Sequence, residues 1–283
     1  MKKINSLLEI ADKTKLYLFD MFGVIWTGTE LFDGVIPLFE RLKEQEKKVF
    51  ILSNATATGK NIEEKLKAHG FFKNIHYDKA ITSGDFFTER VNNGFLEEVA
   101  GKKKYKFFCL GEFMPILEPV KSHWVADMES ADFVYISSLN NGFIFARSVQ
   151  EFNTALKKLI KLGKPMICAN PDYFAFMGAE KYLTQGSIAM AYAKMGGKVY
   201  FIGKPYPEIY NYALNLAKVS ASDAVMVGDT VRTDIAGAVA AGMRSTLITG
   251  QGVTADFLMG GYSVEQLIRL EETEPSYLLE RIG

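Results

Sequence analysis

Short apolar runs that stop abruptly at a polar residue recur along this chain with helical patterns between them, which restricts its fold more than any other feature. The first run, Leu16 to Phe19, ends at Asp20, and Gly23 follows within three residues. So short and unbroken a run suits a strand buried on both faces of a parallel sheet. The pattern returns at 48–54, ending in Ser53 and Asn54, and at 80–84, ending in Thr82, Ser83 and Gly84. Helical spacing is read over 37–43 and 60–68, the second stopped by Gly70. Strands alternating with helices imply right-handed βαβ units joined in one parallel sheet.

From about Asp85 the rhythm changes. Strand patterns at 106–111 and 132–137 flank an irregular stretch containing Pro115 and Pro119. An amphipathic helix over 150–162 then leads into a further strand at 164–170. By itself this segment reads as a separate α/β unit inserted into the first. The earlier rhythm resumes with a helix at 186–195, a strand at 199–204, a helix at 207–218, a strand at 223–229, a helix at 235–241 and a strand at 245–250. All of these are assigned to the first unit.

Composition narrows the functional classes. Lys plus Arg and Asp plus Glu number 33 each, so the formal net charge is zero and nothing in bulk draws the chain to nucleic acid or an anionic membrane. The basic triplet Lys102, Lys103 and Lys104 precedes an apolar run and reads as a solvated strand entry. Cys109 and Cys168 each lie inside an apolar run and read as small buried hydrophobes, not as a disulfide or a metal site. No stretch approaches the roughly 18 to 20 apolar residues that span a bilayer. The N-terminal segment, basic at first but soon acidic, makes a poor signal peptide, so a soluble cytoplasmic protein is expected.

The chemistry gathers at strand ends: Asp20; Ser53 with Asn54; Lys204; and Asp229 with Asp234. In one parallel sheet these would converge on a single crevice beyond the carboxyl ends of the strands. Clustered carboxylates repel one another unless a cation lies between them, and Mg²⁺ favours such oxygen ligands. Lys204 and the side chains of Ser53 and Asn54 would hold an anionic group against that metal. The set suits phosphoryl transfer, in which positioning and charge neutralisation supply most of the catalysis. Asp20 would attack phosphorus and form an aspartyl-phosphate. Taken singly, each member has a plainer reading: Asp229 and Thr230 as a helix N-cap, Asp234 as a partner of the helix dipole, Ser53 and Asn54 as a turn. Only the joint pattern points to chemistry.

Four stretches, LFDMFGVI at 18–25, FILSN at 50–54, IGKPYP at 202–207 and VGDTVRTDI at 227–235, make the chain resemble the haloacid dehalogenase-like (HAD) hydrolase superfamily. The match is to its class IIA branch, which includes sugar-phosphate, 4-nitrophenyl phosphate and phosphoglycolate phosphatases. ANPD at 169–172 and Gly186 with Ser187 look like signatures of the same branch. The resemblance runs from about Lys15 to Gly250 and implies an α/β fold. Its Rossmann-like, doubly wound core would occupy 1–84 and 181–283, with an α/β cap over 85–180 that closes on the substrate and excludes water.

The resemblance also implies roles. Asp20 would be the nucleophile, Ser53 the phosphate-binding hydroxyl, and Lys204 the residue that stabilises the phosphoryl charge and tethers Asp20. Mg²⁺ would be held by the Asp20 carboxylate, the backbone carbonyl of Phe22 and Asp229. Asp234 would be an additional acid, acting directly, through water or by orienting Lys204. Asn54, Asn170 and Asp172 would join Ser53 and Lys204 in substrate binding. The expected substrate is a small phosphorylated metabolite such as a sugar phosphate, and caps of this branch often pair, so a homodimer through the cap is expected.

One departure stands out: phosphatases of the family carry a second Asp two residues after the nucleophile, and here the residue is Phe22. General acid–base catalysis of the kind that Asp performs is worth about 10²- to 10⁴-fold, and a phenyl ring provides none of it. The carbonyl of Phe22 still offers an oxygen to a metal. The sequence then allows a slow phosphatase, one that favours leaving groups needing no proton, a substitute acid such as Asp33, or a binding or regulatory protein without turnover. Dehalogenases and phosphonate-cleaving members of the superfamily also lack that Asp, but a dehalogenase would not need the retained metal-binding acids. Metal-dependent phosphoryl chemistry is therefore the expectation.

Overall fold

The computed structural model describes residues 1–137, 140–141, 144–145, 148–177 and 180–282. The chain forms two compact units: one from Met1–Ser53, Gly59–Thr82 and Lys204–Gly283, the other from Asn54–Thr58 and Ser83–Gly203.

The first unit is built on a seven-stranded sheet in the order Lys2–Lys3, Tyr277–Leu279, Arg244–Ile248, Ala224–Gly228, Leu16–Phe19, Lys48–Ser53 and Lys79–Thr82. Every pairing in it is parallel. All four residues of Leu16–Phe19 and all five of Ala224–Gly228 are buried, which is why their sequences are apolar without alternation. From this central pair the strand order runs outward in both directions, so the chain reverses its direction of winding between them. That is the topological switch point of a doubly wound sheet, where the loops beyond the carboxyl ends part to leave a crevice. Helix Val35–Glu44 buries Val35, Leu38, Phe39 and Leu42. The ring of Phe39 lies 4.4 Å from that of Phe19 on the central strand.

The second unit carries its own parallel sheet of four strands, in the order Val199–Phe201, Met166–Cys168, Phe133–Ile136 and Phe107–Leu110. Helices Asn153–Leu162 and Gln185–Lys194 supply Leu156, Leu159, Ile188, Ala189 and Tyr192 to a core shared with Val134, Ile136, Met166 and Cys168. An antiparallel pair, Phe174–Met177 with Glu180–Leu183, precedes the second of these helices.

This arrangement corrects two expectations: the helix read over 186–195 and the strand after it both belong to the second unit, not the first. The strand ahead of Lys204 does not join the first sheet: Val199, Tyr200 and Phe201 pair with Met166, Ile167 and Cys168 in the second. A three-residue apolar strand carries no mark of which sheet will accept it, whereas the helix before it already packs on the second sheet. The candidate residues at strand ends of the first sheet are consequently Asp20, Ser53 and Asp229, and Lys204 begins the segment that re-enters that unit. Several elements carried no readable pattern, among them helices Ser83–Asn92, Phe95–Ala100, Gly252–Met259 and Val264–Leu270.

Both cysteines are free and buried, as the apolar runs around them imply. Burial pushes the Cys109 thiol up to about 12, which leaves almost no thiolate at neutral pH. No described helix is long and apolar enough to cross a membrane. Neither cysteine should react with 5,5′-dithiobis-(2-nitrobenzoic acid) in the folded protein, and both should react after denaturation in guanidinium. Rapid labelling of the native chain would contradict this packing.

Candidate active site

Asp20 directly follows the Leu16–Phe19 strand, and its N–H donates to the Val227 carbonyl at 2.9 Å, so the ladder between the two central strands persists to this residue. Asp229 stands at the end of the neighbouring strand. The two acids thereby flank the switch point. Asp234 comes from the single π-helical turn Val231–Ile235 that opens the next helix, a rare geometry that recurs at functional sites.

Carboxylate oxygens of Asp20, Asp229 and Asp234 lie within 4.8 Å of one another, and among the described residues this is the one such cluster. Lys204 joins two of them: its Nζ is 2.7 Å from Asp20 Oδ1 and 2.7 Å from Asp234 Oδ1. The lysine side chain is 2% exposed, Asp234 0% and Asp20 14%, so these charges meet largely out of water. Asp234 is fixed at its other oxygen by the Thr230 N–H, 3.1 Å away. The Asp20 carboxylate accepts in addition from the Met21 N–H at 2.7 Å.

Asp229 is held by its surroundings. Val253 N–H donates to its Oδ2 at 2.5 Å and the Thr230 hydroxyl to Oδ1 at 3.3 Å. Its backbone carbonyl accepts from the hydroxyl of Thr254 at 2.6 Å and from the Thr254 N–H at 3.1 Å. Two glycines make this enclosure possible. Gly23, at φ 81°, and Gly252, at φ 68°, both stand where a Cβ would fall on Asp229 Oδ2. Any side chain there would displace the carboxylate as well as strain the backbone.

Fully ionised, three carboxylates with one ammonium would carry an excess of two negative charges in a site mostly closed to water. Burial raises the Asp229 carboxyl well above the ordinary range, and the charges of Asp20 and Asp234 add to that, against the opposing Val253 N–H and Lys204. Such a donor set fits a hard divalent cation, which would cancel the excess charge and reverse the rise at Asp229.

The other residues singled out from the sequence divide between the units. Ser53 ends the Lys48–Ser53 strand of the first unit and is 2% exposed. Asn54, Asn170 and Asp172 belong to the second unit, where they form one network. Asn54 Nδ2 donates to Asp172 Oδ1 at 2.9 Å, Asp172 N–H donates to Asn170 Oδ1 at 3.1 Å, and the Ser83 hydroxyl donates to Asn54 Oδ1 at 3.1 Å. The Phe22 ring lies beneath Lys65, whose Nζ is 5.6 Å from its centre and 4.8 Å from that of Trp26. Asp33 is exposed and stands outside the cluster of acids. Residues 251–254 had no place in the sequence reading, since a Gly-containing polar stretch after a strand looks like any other loop.

Known proteins resemble this chain in sequence and in fold. A family model described as haloacid dehalogenase-like hydrolase matches residues 14–242. Dihydroxyacetone phosphatase of Corynebacterium glutamicum is 26% identical over 242 residues, a match covering 85% of this chain and 82% of that protein. The crystal structure of 4-nitrophenylphosphatase from Thermotoga maritima superposes with a TM-score of 0.70 at 26% identity, covering 97% of each chain. A haloacid dehalogenase-like hydrolase from Brucella suis gives a TM-score of 0.81 at 21% identity, covering 99% of this chain and 100% of that one, and shows the shared fold.

The raised carboxyl of Asp229 has a sign that can be checked. In metal-free protein the folded state keeps a proton there that the unfolded chain has already lost, so stability falls as pH rises from the ordinary carboxylate range through the raised folded value. Between about pH 5 and about pH 8, Asp229→Asn should melt with a shallower loss of Tm than the wild type in the presence of a chelator. Mg²⁺ should raise the wild-type Tm, more at the higher pH because proton and metal compete, and should leave Asp229→Asn unmoved. Identical pH slopes for the two proteins would refute this account of Asp229.

Proposed function

The chain belongs to the haloacid dehalogenase-like hydrolase family, and from that premise we propose that it is a Mg²⁺-dependent phosphatase of small phosphorylated metabolites, sugar phosphates among them. The observation that carries this reading is the group of Asp20, Asp229 and Asp234 around one lysine. Relatives named dihydroxyacetone phosphatase and 4-nitrophenylphosphatase support a small phosphorylated substrate.

Asp20 is the nucleophile. A carboxylate oxygen bonds to phosphorus, the bond from phosphorus to the leaving oxygen breaks, and its electron pair departs with that oxygen. Water then attacks the aspartyl-phosphate, restoring the carboxylate and releasing inorganic phosphate. Lys204 orients Asp20 before the attack and balances charge on the phosphoryl oxygens during it. Asp234, with one oxygen on Lys204 and the other on the Thr230 N–H, acts by orienting that lysine. Ser53 offers its hydroxyl to the phosphoryl group. Asp20, Asp229 and the Phe22 carbonyl would hold Mg²⁺, which when bound draws charge from the transferring group and neutralises the acids.

Phe22 shapes the substrate range. Its side chain donates no proton, and Asp33 stands apart from the cluster of acids, so the leaving group departs fastest when its conjugate acid is strong. Aryl and acyl phosphates are then the better substrates and alkyl phosphates the slower ones. The same residue favours a second reading, a HAD-fold binding or regulatory protein that has lost turnover.

The purified protein should release 4-nitrophenolate from 4-nitrophenyl phosphate only with Mg²⁺, and Asp20→Asn should lower kcat by roughly 10³-fold or more. Phe22→Asp should raise turnover of an alkyl phosphate by about 10²-fold while changing the aryl ester much less. An inert wild type that gains strong activity from Phe22→Asp would favour the regulatory reading. Absence of metal-dependent phosphate release from both proteins would count against catalysis altogether.

A further inference from the structure

Gln251 plays no part in the chemistry described above, yet the residue is only 8% exposed and its side-chain amide is committed to two backbone groups. Nε2 donates to the Val24 carbonyl at 2.9 Å and to the Gly23 carbonyl at 3.2 Å. A primary amide has two N–H donors, and both are directed at consecutive carbonyls of the turn that follows Asp20. The residues after Gln251 grip the other side of the site. Gly252 lies against Asp229 Oδ2, Val253 N–H donates to that oxygen, and Thr254 binds the Asp229 carbonyl through both its hydroxyl and its N–H. Four consecutive residues thus connect Asp229 with the turn at 21–26.

Within that turn the carbonyls of Gly23 and Val24 are tied down, while no described residue donates a hydrogen bond to the carbonyl of Phe22 between them and Asp20. Its direction is nonetheless set. The Gly23 N–H donates to the Trp26 carbonyl at 3.0 Å, and in a trans peptide the Phe22 C=O must point the opposite way from that N–H. With Gly23 tied at its N–H and at its C=O, the peptide plane carrying the Phe22 oxygen has little freedom left.

We propose that Gln251 is a positioning residue for the cation site: it holds the turn so that the open Phe22 carbonyl and the Asp229 carboxylate face one ion together. The proposal rests on the metal-dependent reading of this site and assigns to it a residue that touches neither the metal nor the substrate. Outer partners of this kind typically change metal affinity by about 10- to 100-fold when removed.

Gln251→Met keeps the side chain near its volume and removes both donors. Titration calorimetry of the full chain with Mg²⁺ alone, without substrate, should give a dissociation constant about 10-fold or more above that of the wild type. The KM for 4-nitrophenyl phosphate at saturating Mg²⁺ should stay unchanged. Melting in chelator separates the roles, because a residue that only supports the fold would lower the metal-free Tm and leave the Mg²⁺ constant alone. Should Gln251→Met fail to fold, Gln251→Asn withdraws the amide by one methylene and should weaken Mg²⁺ in the same direction. Unaltered Mg²⁺ affinity in a folded variant overturns the role of Gln251 while leaving the metal site standing. A wild type that binds no Mg²⁺ overturns the metal-dependent reading and this inference with it.

Discussion

One ammonium group, Lys204 Nζ, bridges two carboxylates at 2.7 Å each, with a third carboxylate a few ångströms away, and the rest of the first unit is arranged around that imbalance. Buried like charges are costly, and one ammonium cannot balance three carboxylates. The fold surrounds the acids with donors: the N–H groups of Met21, Thr230 and Val253 and the Thr230 hydroxyl. These fix each carboxylate in place but leave the excess negative charge uncancelled. That uncancelled charge is what supports the proposal of a divalent cation at this site.

The positions of the acids follow from the sheet. Leu16–Phe19 and Ala224–Gly228 pair in parallel register, with Phe19 opposite Val227, so the residues just past their ends emerge side by side. Because the winding reverses between these strands, no crossover covers that end. Glycine supplies the remaining closeness. With side chains at positions 23 and 252, the turn after Asp20 and the loop after Arg244–Ile248 could not both lie against Asp229. Sequence, topology and electrostatics therefore specify one location, and the proposed roles of Asp20 and Asp229 depend on all three.

Much of this could be read from the amino-acid sequence, because strands buried on both faces spell unbroken apolar runs whose abrupt ends mark the sheet's edge. Asp20 and Asp229 were visible for that reason, and Asp234 and Lys204 through the motifs around them. The allocation of Val199–Phe201 was not, since pairing with Met166–Cys168 is a choice between two sheets that a three-residue strand leaves open. The helix Ser83–Asn92 was hidden by its beginning: Ser83 and Gly84 read as the end of the strand before it, although Gly84 is required in the helix because the Thr56 carbonyl lies where a Cβ would be. Gln251 to Thr254 were hidden more deeply, as Gln251 acts on carbonyls more than two hundred positions earlier and Val253 and Thr254 on Asp229, contacts that no local pattern spells out. Asn54, Asn170 and Asp172 were grouped from motifs alone, and the structure joins them to one another by hydrogen bonds in the second unit.

The central claim is that two strand-end acids share one divalent ion. Anomalous scattering from a crystal equilibrated with Mn²⁺ as a surrogate addresses it directly. The account predicts a single strong peak with carboxylate oxygens of Asp20 and Asp229 and the Phe22 carbonyl oxygen each about 2.1 Å from it. A peak bound elsewhere, or none between these residues at saturating metal, would contradict it.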